Sequence, residues 1–190
     1  MNDFPPEAGP ELAFAGRSNV GKSSALNALA GRRRLAFASK TPGRTQMINF
    51  FELGNAGRLA DLPGYGYASV PKALRASWDD LISGYLTGRR TLAGVVVLMD
   101  ARRPLMANDR NFLEWLRPVG AARLILLSKA DKLSRAERTK TLARTRVALD
   151  KAALTSQVEL FSSKSGEGVE ETRALLDRWL QNKKPPEKGN

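Results

Sequence analysis

The chain of 190 residues has no cysteine and no histidine. The first absence excludes a disulfide framework, a thiolate zinc site and a cysteine nucleophile. The second excludes histidine triads, imidazole metal ligands and imidazole acid–base chemistry. Long apolar runs are also missing. Val95 to Met99 is the longest, far short of the roughly 20 residues that span a bilayer. The N-terminus is acidic and proline-rich, without the basic and apolar segments of a signal peptide. These absences predict a cytoplasmic protein with no membrane partner. Carboxylates, lysine, arginine, hydroxyls and backbone are left to carry any chemistry.

Acidic residues are in short supply, 19 against 31 lysines and arginines, for a net charge of +12. Such a surplus favours polyanionic partners through counterion release. An arginine-preferring proteome and simple solubility would give the same number, so charge alone only leans towards nucleic acid. A chain of this length buries roughly 70% of its unfolded surface and needs no staple to fold.

Apolar runs alternate with amphipathic stretches. Strands are predicted at Glu11–Ala15, Met47–Leu53, Arg58–Asp61, Leu92–Met99, Arg123–Leu127 and Gln157–Phe161. Gly54-Asn55-Ala56-Gly57 marks a hairpin between the second and third. Helices are predicted from about Gly21 to Ala30, after Pro71 through Tyr85, near Asn108–Leu116, from Ser134 to about Asp150, and over Glu167–Leu180. Ser134-Arg135-Ala136-Glu137 fits a capping box. The alternation predicts a three-layer α/β domain with a mostly parallel sheet over 11–181. Residues 1–10 read as an N-terminal extension and 182–190 as a disordered tail.

Four motifs carry the chemistry. Gly16-Arg17-Ser18-Asn19-Val20-Gly21-Lys22-Ser23 satisfies G-x-x-x-x-G-K-[ST] between a strand and a helix. In that context the backbone N–H groups cradle phosphate, Lys22 reaches the β- and γ-phosphates, and Ser23 ligates Mg²⁺. Asp61-Leu62-Pro63-Gly64 ends the third strand; its carboxylate suits the Mg²⁺ shell through water, and the Gly64 N–H suits a γ-phosphate. Ser128-Lys129-Ala130-Asp131 follows a buried strand. There Asp131 can accept from N1–H and the amino group of guanine, whereas adenine would leave it unpaired. The stem of Lys129 can cover the base. Phe161-Ser162-Ser163 ends the last strand, where a backbone N–H can meet the guanine O6. Between the first two motifs, a hydroxyl in Ser39 to Gln46 can complete the Mg²⁺ shell, with Thr45 and Thr41 the alternatives.

Together with Pro42-Gly43-Arg44-Thr45-Gln46 and Asp61-Leu62-Pro63-Gly64-Tyr65-Gly66-Tyr67-Ala68, these motifs resemble the bacterial EngB/YsxC/YihA ribosome-assembly GTPases. These belong to the TrmE-Era-EngA-EngB-Septin-like superfamily. The resemblance runs from about Glu11 to Leu180. It implies a Ras-like P-loop NTPase fold, six strands in a mostly parallel sheet with one antiparallel edge strand, and five helices. It implies GTP hydrolysis, a role in maturation of the large ribosomal subunit and its rRNA, and a link to cell division and septation. DNA is not an expected partner. The resemblance selects Thr45 as the second Mg²⁺ ligand and adds Gly43, Arg44, Gln46 and Met47 to the nucleotide site. Lys22, Thr45, Gly64 and Asn19 are the residues expected to act at the reacting phosphate. Asn19 fits the G-x-x-N-x-G-K-S pattern of GTPases that use K⁺; bracing of the loop by its amide is the other reading.

Two positions depart from small GTPases in general. Ser128 stands where most carry Asn, which predicts weaker anchoring of the loops. Tyr65 stands where Ras-like enzymes carry the water-orienting Gln, which predicts slow intrinsic hydrolysis. Tyr65 and Tyr67, in a glycine-bearing loop, are expected to meet a partner, and Trp78, Trp115 and Trp179 to be core. Basic clusters at Arg32-Arg33-Arg34, Arg89-Arg90, Arg102-Arg103 and along the fourth helix are candidate rRNA contacts or solvated surface. An ATPase or nucleotide kinase, opposed by Asp131, and a GTP-dependent binding module that does not hydrolyse are the competing functions.

Overall fold

The computed structural model describes residues 4–31, 47–66, 72–154 and 156–183. Strands β1 (Glu11–Gly16), β2 (Asn49–Glu52), β3 (Arg58–Asp61), β4 (Leu92–Asp100), β5 (Ala122–Ser128) and β6 (Gln157–Leu160) form one sheet. Their order is β2-β3-β1-β4-β5-β6. Only β2 runs antiparallel, against β3, so the described sheet is parallel with one antiparallel edge. Helices α1 (Lys22–Leu29), α2 (Lys72–Gly88), α3 (Ala107–Trp115), α4 (Arg135–Lys151) and α5 (Val169–Asn182) cover it.

The central strands are apolar throughout because both faces are covered. Strand periodicity sends Ala13, Ala15, Val95, Val97 and Ile125 to one side, where they meet Ile82 and Tyr85 of α2, Phe112 and Leu113 of α3 and Leu149 of α4. Leu12, Phe14, Val96, Leu98 and Leu124 face the other side, against Leu26 and Leu29 of α1 and Leu175, Leu176 and Leu180 of α5. Trp179 lies so close over Gly94 that a Cβ there would fall 2.2 Å from its ring. Trp179 and Trp115 are partly buried against the core, as predicted; the Trp78 side chain lies outside the described residues.

Ser134 opens α4 as expected. Its hydroxyl accepts from the Glu137 N–H at 3.3 Å, and the Glu137 carboxylate accepts from the Ser134 N–H at 2.7 Å. The hairpin link is a single 3-10 turn over Gly54–Ala56. Helix α5 runs through Asn182, one residue into the stretch predicted as tail. The segment before β1 is held by its aromatic ring: Phe4 packs edge-on against Phe50 and Tyr85.

At the start of β1, Glu11 is fully buried. Its carboxylate accepts from Arg89 Nη2 at 2.6 Å and Nε at 2.9 Å, Tyr85 Oη at 3.0 Å and Arg58 Nη1 at 3.2 Å. Burial, reinforced by the Glu11 carboxylate, pushes the Tyr85 phenol far above its usual range, so it stays a donor. This cluster ties β1, β3 and α2 together at the end of β1 opposite the Gly16 turn.

Candidate functional site

The parallel strands β1, β3, β4 and β5 deliver their motifs to one edge, where open α/β sheets bind ligands. β1 ends at Gly16, and the loop reaches α1 through Gly21 at φ 101°, a backbone that side chains disfavour. Val20 is buried, so the loop is rooted in the core rather than draped over it. Ser128 at the end of β5 adds a second root. Its hydroxyl stands 2.7 Å from the Val20 carbonyl and 3.1 Å from that of Met99, and donates its one proton between them. A serine, with no amide to add, thus still reaches the loop carbonyl directly, through one shared proton. Lys129 adopts a left-handed backbone at φ 59°. Its Nζ donates to the Asn19 carbonyl at 2.7 Å and pairs with Asp100 at 3.1 Å.

The candidate base-reading side chain is also fixed by a neighbour. Ser162 Oγ donates to Asp131 Oδ1 at 2.8 Å, and accepts from the Ser165 and Lys164 N–H groups at 3.1 and 3.3 Å. The Ser162 bond holds the Asp131 carboxyl below the usual carboxylate range. The Ala130 N–H donates to the Phe161 carbonyl at 3.1 Å, which joins the two candidate guanine motifs. Phe161 is buried and Ser163 exposed, so of these residues Ser162 does the positioning.

β3 pairs with β1 so that Asp61 lies opposite Phe14. Lys22 Nζ contacts Asp61 Oδ1, which brings the phosphate-loop ammonium to the mouth of the site. Burial raises the Asp61 carboxyl and the Lys22 charge opposes that shift. Leu62 and Pro63 are buried and Gly64 is half-buried at the rim. Ser23 lies in the first turn of α1. Its hydroxyl and the Asp61 carboxylate are hard oxygen donors and fit Mg²⁺. Among the described residues no group of three or more acidic side chains could hold a metal without help from a ligand. Gly43, Arg44, Thr45 and Gln46 lie outside the described residues, as do Arg32-Arg33-Arg34 and Tyr67. Met47 is described and 71% exposed.

Two residues of the motifs turn towards Asp109, and one of them departs from expectation. The loop is expected to meet phosphate through its backbone N–H groups, Arg17 and Ser18 included, and the Arg17 guanidinium is accordingly engaged elsewhere, with Asp109 Oδ1 at 2.9 Å and the Arg103 carbonyl at 3.1 Å. That leaves the Arg17 backbone N–H for phosphate. Tyr65 does not face outward for a partner. Its ring stacks on Phe112, with centroids 4.5 Å apart and planes 13° from parallel, and its hydroxyl donates to Asp109 at 3.0 Å. Burial and the Asp109 carboxylate push this phenol well above its usual range.

Beside the tip of the phosphate loop lies a cavity of about 420 Å³. Asn19, Arg17, Arg103 and Lys129 line it together with Asp100 and Arg102, which pair at 2.9 and 2.7 Å. Sequence reasoning missed Asp100 and Asp109. A charged residue at the carboxyl end of a buried strand was the available signal for Asp100; nothing local marks Asp109.

A family profile described as "50S ribosome-binding GTPase" matches residues 11–129. Curated relatives named "Probable GTP-binding protein EngB" cover nearly all of the chain. The one from Dechloromonas aromatica is 51% identical over 100% of this chain and 90% of its own length. The one from Thiobacillus denitrificans is 54% identical over 95% and 86%. Among solved structures, a probable GTP-binding protein engB superposes with TM-score 0.71 at 23% identity, over 90% of this chain and 98% of that one. Era in complex with MgGDPNP and nucleotides 1506-1542 of 16S ribosomal RNA gives TM-score 0.71 at 19% identity, over 95% of this chain and 58% of that one. At these identities the structural matches speak for the fold. Among the described residues, no helix is long and apolar enough to cross a membrane.

Proposed function

The chain belongs to the EngB family of GTP-binding proteins, and from that premise we propose that it is a GTP-hydrolysing switch assisting assembly of the large ribosomal subunit. On this reading it works in the cytoplasm, contacts rRNA, and supports normal cell division and septation. Residues 11–181 form the working G domain. The observation that carries the proposal is the convergence of the Gly16–Ser23 loop, Asp61 and Asp131 on one edge of the sheet. The +12 charge and the family description support a ribosomal partner.

The chain's own residues divide the work. Backbone N–H groups from Ser18 to Ser23 and the Lys22 ammonium bind and orient the β- and γ-phosphates. Asp61, in contact with Lys22, would be available to a metal shell once phosphate takes up the ammonium. Ser23 and Thr45 would hold Mg²⁺, with the Asp61 carboxylate in support, and the ion would neutralise phosphate charge. The Gly64 N–H meets the γ-phosphate, and Asp131 selects guanine. Tyr65 does not orient the attacking water as a glutamine would, because its hydroxyl proton is donated to Asp109 and its ring lies on Phe112. Intrinsic hydrolysis is accordingly slow, with acceleration supplied by the ribosomal partner.

The test is co-sedimentation with ribosomal subunits. Binding to the large subunit is expected in a non-hydrolysable GTP analogue and not in GDP, and it should weaken steeply as salt rises. Phosphate release should rise when the subunit is added. Binding without any release would favour the non-hydrolysing module, and binding in GDP as strong as in the analogue would refute the switch.

K⁺ enters this reading through Asn19. Asn19 is exposed at the tip of the phosphate loop, with a left-handed backbone at φ 59°. An amide oxygen there can help hold a monovalent cation beside the phosphates and offset charge on the β–γ bridge. Hydrolysis should be faster in K⁺ than in Na⁺ at equal ionic strength, and Asn19→Ala should remove the difference. Equal rates in both salts with the large subunit present would rule the ion out.

A further inference from the structure

Asp109 is the one fully buried carboxylate of α3, and three donors converge on it. Its Oδ2 accepts from the Met106 N–H at 3.0 Å, an ordinary bond at a helix start. The other two donors come from elsewhere. Arg17 Nε at 2.9 Å directly follows the first glycine of the phosphate loop, and Tyr65 Oη at 3.0 Å directly follows Asp61-Leu62-Pro63-Gly64. Capping a helix requires neither of them. The same two residues also meet through their backbones: Arg17 and Tyr65 form a parallel bridge, and the Tyr65 N–H donates to the Gly16 carbonyl at 3.3 Å. Tyr65 is thus held by its backbone, by its ring on Phe112, and by its hydroxyl on Asp109.

We propose that Asp109 is a positioning residue for the GTP reaction, fixing Tyr65 against the phosphate loop so that the neighbouring Gly64 N–H stands ready for the γ-phosphate. The proposal rests on the assignment of Gly64 made above. Gly64 lies between Pro63, whose ring restricts its own φ, and Tyr65, which is held three ways. A donor fixed before the ligand arrives loses little entropy on binding. Glycine alone would leave that peptide free to turn. GDP has no γ-phosphate and makes no use of this N–H, so the arrangement acts on one nucleotide and not the other. Asp109 touches no phosphate itself and works through Tyr65 and Arg17.

The discriminating variant is Tyr65→Phe, which keeps the ring on Phe112 and removes only the hydroxyl. Dissociation constants of a non-hydrolysable GTP analogue and of GDP are measured on the full chain by calorimetric titration. Affinity for the analogue should fall about tenfold, the weight of one hydrogen bond to a charged acceptor. GDP affinity should stay within about twofold. Asp109→Asn should lower the same ratio, with its folding checked by urea unfolding, because the amide cannot serve Met106 and the two distant donors equally well. A general loosening of the fold weakens both nucleotides together and leaves their ratio unchanged. That outcome, or no change in either affinity for Tyr65→Phe, overturns the role of Asp109 and leaves the nucleotide site standing. If the unaltered chain binds neither nucleotide, the site assignment fails and the inference falls with it.

Discussion

Replacing Asp131 by asparagine is expected to cut GTP affinity by about a hundredfold or more, the cost of two hydrogen bonds to a charged group. The same change should raise affinity for xanthosine triphosphate, whose oxygen at position 2 can accept from the new amide. The local geometry favours a clean exchange. Ser162 Oγ donates to Asp131 Oδ1, and an asparagine can keep that bond through its own oxygen. Its NH₂ is then turned towards the base instead of the second carboxylate oxygen. Titration with both triphosphates reads the outcome. A variant that binds GTP as the parent does would mean that Asp131 does not read the base.

The second large effect is on stability, at the other end of β1. Glu11→Ala removes the buried carboxylate that accepts from both Arg58 and Arg89, leaving Arg58 with Glu52 at 2.7 Å and Arg89 without an ion-pair partner in the cluster among the described residues. Removing one partner of a buried ion cluster costs about 3–5 kcal/mol. For a domain of this size that corresponds to a melting temperature lower by roughly 10 °C. Nucleotide affinity of the folded fraction should be unaffected, since Glu11 and Gly16 stand at opposite ends of the strand. Thermal and urea unfolding provide the measurement. A loss below about 1 kcal/mol would show that solvent reaches the arginines and satisfies them.

The sheet was legible because the relevant signals are local. Val95 to Leu98 is apolar on both faces, and Ser134 with Glu137 closes a capping box within one helical turn. The phosphate loop was legible for the same reason, as eight consecutive residues between a strand and a helix. What escaped depends on partners far apart in the chain. Glu11 sat in a predicted apolar strand as a charged first residue, and its meaning comes from Arg58, Tyr85 and Arg89. A tyrosine among glycines suits a partner surface, so the sequence alone points Tyr65 outward. Only the packing of α3, with Phe112 and Asp109 on the face towards it, turns it in. For Ser128 the residue type alone does not show that its hydroxyl lies 2.7 Å from the Val20 carbonyl, a distance set by a residue 108 positions away.

The last helix, α5, rests on the first strand, with Leu175, Leu176 and Leu180 in the same cluster as Leu12 and Phe14. Ribosomes deliver a chain from its N-terminus, so β1 and its phosphate loop emerge long before the surface that covers them. The loop's side-chain anchors, Ser128 and Lys129, lie 108 and 110 positions beyond the residues they hold. Contacts that distant close late and make folding slow relative to a helical bundle of similar size. Until α5 has emerged, the nascent chain exposes an apolar sheet face, with chaperone binding and aggregation as the competing fates. Truncations that remove α5 should therefore accumulate as insoluble protein even though every nucleotide motif is still present in them.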